Sequence, residues 1–365
     1  MSSLKEKAAK VYAKYVVWKT TKWAAYPQKT QKKVFKKLLA KGKKTRFGKE
    51  HSFGKIINHE DFSKQVPVRD YEGLKKYIKL ITDGEKDILW PGRPIYFAKT
   101  SGTTSGEKLI PITKESMPYH VKGSVEATMH YINETSNTSF LNKKIIFLQG
   151  SPVLEETKGI KTGRLSGIVA HYTPSFLRKN TMPSWEINCI EDWEKKVLEI
   201  SKETLKEDMA AIGGIPPWVI MYFEKLLEIS GKKTIKQIFP NFSLFVYGGV
   251  NYNPYKESFR HLIGKEIDSI EYYPASEGFF AYQDSQEKEG LLLQLNSGIF
   301  YEFIEIDEMR KSCPKRLTIN EVEKETNYVL VVSTNAGLWG YNTGDTVKFT
   351  SLVPARVKVT GRYKH

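Results

Sequence analysis

A change of pattern near residue 279 constrains this chain most. Before it, short β-prone runs alternate with helical periodicity; after it, only strands and turns are legible. The runs 95–98, 144–149, 244–247 and 267–273 read as strands, and 191–211 and 218–230 read as helices stopped by Gly213-Gly214 and Gly231. Beyond 279, the segments 291–295, 300–304, 328–333, 346–349 and 356–360 are short, β-rich and separated by turn residues. Alternation followed by a run of strands predicts an α/β fold: layered sheets flanked by helices, with an appended small β-barrel or sheet. The 365 residues suit one large domain or two coupled subdomains, here a body over 1–280 and a β-rich part over 281–365.

The N-terminus adds helices. Over 4–24 the apolar positions Leu4, Ala8, Val11, Tyr12, Tyr15, Val16, Trp18 and Trp23 recur at helical spacing among lysines. Such a basic amphipathic helix is expected to pack on its parent domain, and a helix lying on a membrane surface carries the same pattern. A second basic helix follows over about 28–41, ending near Gly42, and 70–81 reads as another. The formal net charge is +16. Excess Lys and Arg can attract nucleic acid or an anionic membrane, but no nucleic-acid motif accompanies them, so a solvated lysine-rich surface is expected. No apolar run approaches the ~20 residues of a membrane span, and the first residues lack an apolar signal core, so a cytoplasmic protein without integral membrane association is expected. The two cysteines, Cys189 and Cys313, make neither a metal pattern nor a disulfide framework.

Four short motifs carry chemistry. The first is Lys99-Thr100-Ser101-Gly102-Thr103-Thr104-Ser105-Gly106-Glu107-Lys108, after a strand and before Ile110-Pro111-Ile112-Thr113. Backbone N–H groups and hydroxyls in such a loop can surround phosphate oxygens, with Lys108 adding charge. It is not a Walker A motif, which has four residues between its glycines and Lys-Ser/Thr after the second. The second motif is Tyr273-Pro274-Ala275-Ser276-Glu277-Gly278, at a strand end. An aromatic there can stack on a purine, and a carboxylate four residues on can hold Mg²⁺. The third is Gly340-Tyr341-Asn342-Thr343-Gly344-Asp345, read as a tight turn whose aspartate can accept two hydrogen bonds from a vicinal diol. The fourth is Thr360-Gly361-Arg362. Each alone fits an ordinary surface loop or turn; their order, with Gly248-Gly249 ending the strand at 244–247, is more specific.

That order resembles the adenylate-forming superfamily, and within it the GH3 acyl-acid amido synthetase family, found in plants and in bacteria. The resemblance covers the chain from about residue 45 onward, through Thr-Ser-Gly-Thr-Thr-Ser-Gly-Glu-Lys, Tyr-x-Ala-Ser-Glu-Gly and Tyr-Asn-Thr-Gly-Asp-Thr-Val. It implies ATP and Mg²⁺ as cofactors. Ser101, Gly102, Thr103, Thr104, Gly106 and Lys108 would surround the phosphates, and Gly248, Gly249 and Val250 would wall the adenine. Tyr273 would stack on the adenine, Ser276 would contact the α-phosphate, and Glu277 would hold the metal. Asp345 would bind the ribose, with Arg362 near it at an interdomain hinge. Thr104, Ser276 and Glu277 would be the catalytic set. An acyl pocket would take Tyr272, Pro274 and Phe279, with Ile168 and Val169.

The implied activity is ATP-dependent conversion of a small carboxylic acid to an acyl-AMP, then transfer to an amine, commonly an amino acid's. Transfer to the CoA thiol, or nucleotide binding without catalysis, are the alternatives. No nucleic acid is implied. The substrate carboxylate is the nucleophile, so no triad is needed, and His120, His130 and His171 read as core or pocket residues. Three departures stand out: Pro274 replaces the family's usual Gly or Ala, Gly340 and Asn342 replace arginines of plant relatives, and the family's smaller C-terminal domain is expected beyond Arg362.

Overall fold

A computed structural model describes residues 4–101, 107–172 and 179–363. Its strands form two sheets. The smaller has the order β2-β1-β5-β4, from β1 (Tyr96–Ser101), β2 (Glu107–Ile112), β4 (Glu155–Thr157) and β5 (Ile160–Gly163). β1 and β2 are antiparallel, β1 and β5 parallel. Pro111 lies in β2, where the edge position spares the sheet a missing N–H donor.

The larger sheet has eleven strands. Its parallel half has the order β9-β8-β7-β3-β6: β3 (Lys144–Phe147), β6 (Thr181–Met182), β7 (Met209–Gly213), β8 (Leu244–Gly248) and β9 (Asp268–Ala275). β10 (Gly278–Tyr282) turns back on β9 and pairs with β11 (Leu291–Leu293). A meander follows of β12 (Ile299–Glu305), β13 (Asn327–Thr334), β14 (Tyr341–Leu352) and β15 (Ala355–Arg362). β15 pairs with β14 on one side and with β11 on the other, through Leu291↔Val357 and Leu292↔Arg356. The β-rich part is thus hydrogen-bonded into the same sheet as the α/β body, and the division placed at 280 falls inside β10.

The longer helices are α1 (Leu4–Ala24), α2 (Pro27–Gly42), α3 (Tyr71–Thr82), α4 (Met117–Thr135), α5 (Trp193–Thr204), α6 (Pro216–Ser230) and α7 (Lys256–Ile263). Caps follow the sequence: the Asp70 carboxylate accepts from Gly73 N at 3.1 Å at the start of α3, and Gly231, in the left-handed region, ends α6. The helix expected over 191–211 is shorter. It stops at Thr204, and 209–213 is the strand β7, buried at all five positions between β3 and β8. A parallel strand covered on both faces is apolar throughout, and its run carries no period that separates it from a helix.

The fold adds α4, which the sequence pattern hides. Its buried positions mix Met117, Ala127, Met129, Tyr131 and Ile132 with His120, Gly123, Glu126 and His130, so the apolar period is interrupted in sequence. α1 packs on α4 and buries Ala13, Val16, Thr20, Trp23 and Ala24; of the apolar positions read from the sequence only Val16 and Trp23 are on that buried side, and Leu4, Ala8, Val11, Tyr12, Tyr15 and Trp18 are exposed. A second core gathers α5, α6 and α7 over β3, β7 and β8. Between the helical N-terminus and the meander lies a buried ionic cluster. Glu302 on β12 accepts from His59 Nε2 at 2.7 Å and from Arg316 Nη2 at 2.5 Å, and Arg316 also donates to the Val66 carbonyl. Burial opposes the Glu302 charge, but Arg316 and His59 hold its carboxyl below the usual range.

Candidate active site

Ala275 pairs with Gly278, so Ser276 and Glu277 are a two-residue connection at the tip of the β9–β10 hairpin. Strand alternation puts Tyr272 and Pro274 on one face and Tyr273 on the other. The Tyr273 hydroxyl donates to Asp345 Oδ2 at 2.6 Å. Burial first, and then Asp345, push this phenol well up.

Asp345 stands in a bulged strand, not in the tight turn expected from its sequence. The β13–β14 register passes from Val329↔Thr346 to Val331↔Asn342, which pushes Thr343, Gly344 and Asp345 out of the ladder. Gly344 takes φ +79°, in the left-handed region. The bulge is knit by its own side chains. Asn342 Oδ1 accepts from Gly344 N at 2.9 Å, and Thr343 Oγ1 accepts from Asp345 N at 3.1 Å while donating to Leu330 O at 2.9 Å. Across β14–β15, Asp345 and Arg362 are register partners, and Arg362 Nη1 donates to Asp345 Oδ1 at 2.8 Å.

Glu277 is half-buried beside this pair. Burial pushes its carboxyl up and Asp345 adds to that, against the pull of Arg362 and Lys108. Tyr341, which the sequence reading left without a role, is buried with its hydroxyl toward Glu277; burial first and then that carboxylate raise its pKa. Backbone bonds from Arg69 N to Gly340 O (2.9 Å) and from Asn342 N to Arg69 O (2.7 Å) pin the start of β14. Tyr341 on β14 and Glu277 between β9 and β10 belong to strands that are not neighbours in the sheet, so the motif alone does not reveal their approach.

Ser101 pairs with Glu107, so β1 and β2 hold both ends of the Ser/Thr/Gly loop together. Gly102, Thr103, Thr104 and Gly106 lie outside the described residues. Lys108 Nζ is 5.9 Å from the Tyr71 ring, and the Tyr71 hydroxyl accepts from Leu109 N at 3.0 Å. Lys99 is held by Glu155 (2.7 Å) and Glu107 (3.3 Å).

At the end of β8, a Cβ on Gly248 would lie 2.6 Å from the Tyr272 carbonyl and 3.0 Å from Pro274 Cδ. Gly249 follows at φ +81°, then the exposed Val250. Pro274 therefore lies against Gly248. The Tyr272 and Phe279 rings are 5.5 Å apart, and the Tyr272 hydroxyl donates to Ser124 O on α4 at 3.1 Å. The Phe279 ring fills the place of a side chain at Gly123, whose Cβ would come within 2.3 Å of it. Ile168, fully buried, and Val169 sit on the short helix Leu165–Ala170, which packs against β1.

His120 and His130 are buried on α4, and burial lowers His120 to about 4. The His171 ring lies 2.9 Å from the Pro152 carbonyl. Cys189 and Cys313 are free thiols. Among the described residues, no three His, Cys, Asp or Glu side chains are grouped to hold a metal by themselves, and no helix is long and apolar enough to cross a membrane.

Tyr273, Glu277, Asp345 and Arg362 gather between the β9–β10 hairpin tip and the β14 bulge of a large mixed sheet, and the sheet with its helices has the fold of adenylate-forming enzymes. Solved structures share it. An acyl acid amido synthetase, GH3.15, in complex with 2,4-DB superposes with TM-score 0.78 at 16% identity, over 98% of this chain and 71% of that one. An open conformation of 2-hydroxyisobutyryl-CoA ligase with 2-HIB-AMP and CoA gives 0.63 at 11% identity, over 91% and 69%. The chain belongs to the GH3 family: the GH3 family N-terminal domain matches residues 19–190 and the GH3 family central domain matches 292–362. The indole-3-acetic acid-amido synthetase GH3.2 of Arabidopsis thaliana is 32% identical over 93 residues, 25% of this chain but only 17% of that relative. The jasmonoyl–L-amino acid synthetase JAR4 of Nicotiana attenuata is 23% identical over 88% of this chain and 66% of its own length.

Proposed function

We propose that this protein uses ATP to convert a carboxylic acid to an acyl-AMP and passes the acyl group to the amine of an amino acid. The observation that carries this reading is the convergence of Tyr273, Asp345, Arg362 and Glu277 on one point of the sheet. It is supported by membership of a family whose named relatives are amido synthetases acting on indole-3-acetic acid and forming jasmonoyl–amino acid conjugates.

In this reading the adenine lies between Tyr273 and the Gly248-Gly249-Val250 wall, and the ribose hydroxyls donate to Asp345. Ser101, Gly102, Thr103, Thr104 and Gly106, with Lys108 and Ser276, surround the phosphates. A half-buried carboxylate such as Glu277 fits Mg²⁺, which takes one or two carboxylates together with substrate phosphates. Mg²⁺ held by Glu277 would neutralise phosphate charge. A carboxylate oxygen of the acid attacks the α-phosphorus; the new P–O bond forms as the α–β bridging bond breaks and pyrophosphate leaves. The loop donors and Lys108 offset the repulsion between the two anions. The amine nitrogen then attacks the acyl carbon, the C–O bond to AMP breaks, and the nitrogen loses a proton to give the amide.

Tyr272 and Phe279, with Pro274, Ile168 and Val169, favour an aromatic or medium-length apolar acid. The free thiols fit a reducing, cytoplasmic setting. Pyrophosphate exchange against a panel of carboxylic acids, followed by amino acids or CoA as acceptor, is the test. Acid-dependent exchange with an aromatic or apolar acid, followed by amide formation, is expected. Exchange with no acid by a protein that binds ATP would sink the reading, and thioester formation in place of amide would redirect its second half.

A further inference from the structure

The positive charge of this chain is not spread over its surface. Residues 1–44 contain fourteen lysines and a single acid, Glu6, so thirteen of the sixteen net charges come from α1, α2 and their flanks. Glu6 is partly buried, away from the outer face of α1, and accepts from Asn142. That outer face carries Leu4, Val11, Tyr15 and Trp18 at spacings of three, four and seven residues, which aligns them along one side of a helix. All four are at least half exposed, Leu4 at 85% and Val11 at 70%. Tyr15 and Trp18 have ring centroids 6.0 Å apart, and Lys22 Nζ lies 3.2 Å from the Trp18 ring. Lys7 and Lys14 flank the stripe on one side and Lys19 on the other, all exposed. α2 continues the basic surface with exposed Lys29, Lys32, Lys33, Lys36 and Lys37.

α1 is therefore apolar on two opposite sides. One is spent on α4, and the other faces water. An exposed stripe of this size on a folded protein marks a contact surface. We infer that α1 lies on an anionic phospholipid bilayer, with Val11, Tyr15 and Trp18 entering the boundary between headgroups and acyl chains and the lysines on either side meeting lipid phosphates. About 30 Å of helix is available for this, at 1.5 Å per residue. A cationic helix with aromatic and aliphatic residues between its lysines is the composition that binds such an interface. Nucleic acid would use the lysines but leave the apolar row unsatisfied, whereas a bilayer uses both. The inference is independent of the proposed catalytic activity.

The test is co-sedimentation of the full chain with vesicles of phosphatidylcholine alone or mixed with phosphatidylglycerol. The protein should pellet with the mixed vesicles and not with the neutral ones, and added salt should release it. The variant Lys7→Gln/Lys14→Gln/Lys22→Gln should lose more than ~tenfold in partitioning, since each lysine near an anionic leaflet contributes severalfold. Val11→Ser/Tyr15→Ser/Trp18→Ser should lose a comparable factor with its charge unchanged. Far-UV circular dichroism and the urea unfolding midpoint serve as the folding controls. As a second measurement on unaltered protein, brominated phosphatidylglycerol should quench tryptophan emission, and Trp18→Phe should remove most of that quenching. Equal vesicle binding by the apolar variant overturns the inference. So does duplex DNA binding, retained by that variant, in a protein that ignores both kinds of vesicle.

Discussion

Both carboxylate oxygens of Asp345 are engaged, one by the buried Tyr273 hydroxyl and the other by Arg362, whose side chain is 68% exposed. A ribose diol that donates to Asp345 competes with the exposed partner and can leave the buried one in place. Asp345→Ala should therefore weaken ATP binding about tenfold or more by calorimetry, the scale of a lost charged hydrogen bond. An unchanged affinity would remove Asp345 from the ribose site. Glu277→Gln should slow pyrophosphate exchange by ~10²-fold, as loss of a key electrostatic group does, with ATP affinity much less affected. Exchange at the normal rate would end its metal role. A different kind of residue is Lys196, buried on α5 with its ammonium donating to the carbonyls of Asn188 (2.5 Å) and Gln149 (3.0 Å). Burial lowers its pKa from 10.5 to about 8. Between those values the unfolded chain binds the proton that the folded chain has released, so this residue's contribution to stability rises with pH across that window. The urea midpoint of the wild type should gain on that of Lys196→Met from pH 8 toward pH 10, and parallel midpoints would refute the linkage. The sequence announces Asp345, Glu277 and Tyr273 because each sits in a short motif. Lys196 and Tyr341 were not legible, because their roles depend on neighbours distant in the chain.

At the scale of elements, the strands and the caps of α3 and α6 follow from local patterns, and two errors have one cause. α4 is hidden because His120, Gly123, Glu126 and His130 interrupt its buried stripe, and β7 reads as part of a helix because it is apolar on both faces. In each case burial was set by packing partners and not by the period of the segment itself. α4 matters because it backs the Tyr272–Phe279 pair. Gly123→Ala would place a Cβ within 2.3 Å of the Phe279 ring, so the ring must move toward the proposed acyl pocket. Overpacking of this kind costs about 1–3 kcal/mol, which urea unfolding should show. The acid panel should shift toward smaller acids at the same time, and an unchanged stability and selectivity would mean that the ring yields freely.

For the molecule as a whole, a few long-range clusters join what the chain separates. Glu302, His59 and Arg316 bind the helical N-terminus to the meander at a buried point. Removing one member strands the other charges, so Glu302→Gln should lower the free energy of unfolding by about 3–5 kcal/mol; a loss under about 1 kcal/mol would show that water replaces the carboxylate. The order in which the sheet closes has a further consequence, for biosynthesis. β15 seals the outer edge of β11, yet β15 leaves the ribosome more than sixty residues later. Until then Leu291, Leu292 and Leu293, all buried in the finished protein, form an unpaired apolar edge of the kind that recruits other chains. A nascent chain arrested anywhere between β11 and β15 is thus an aggregation-prone species and a natural client for chaperones, and the risk ends only when residues 355–362 emerge.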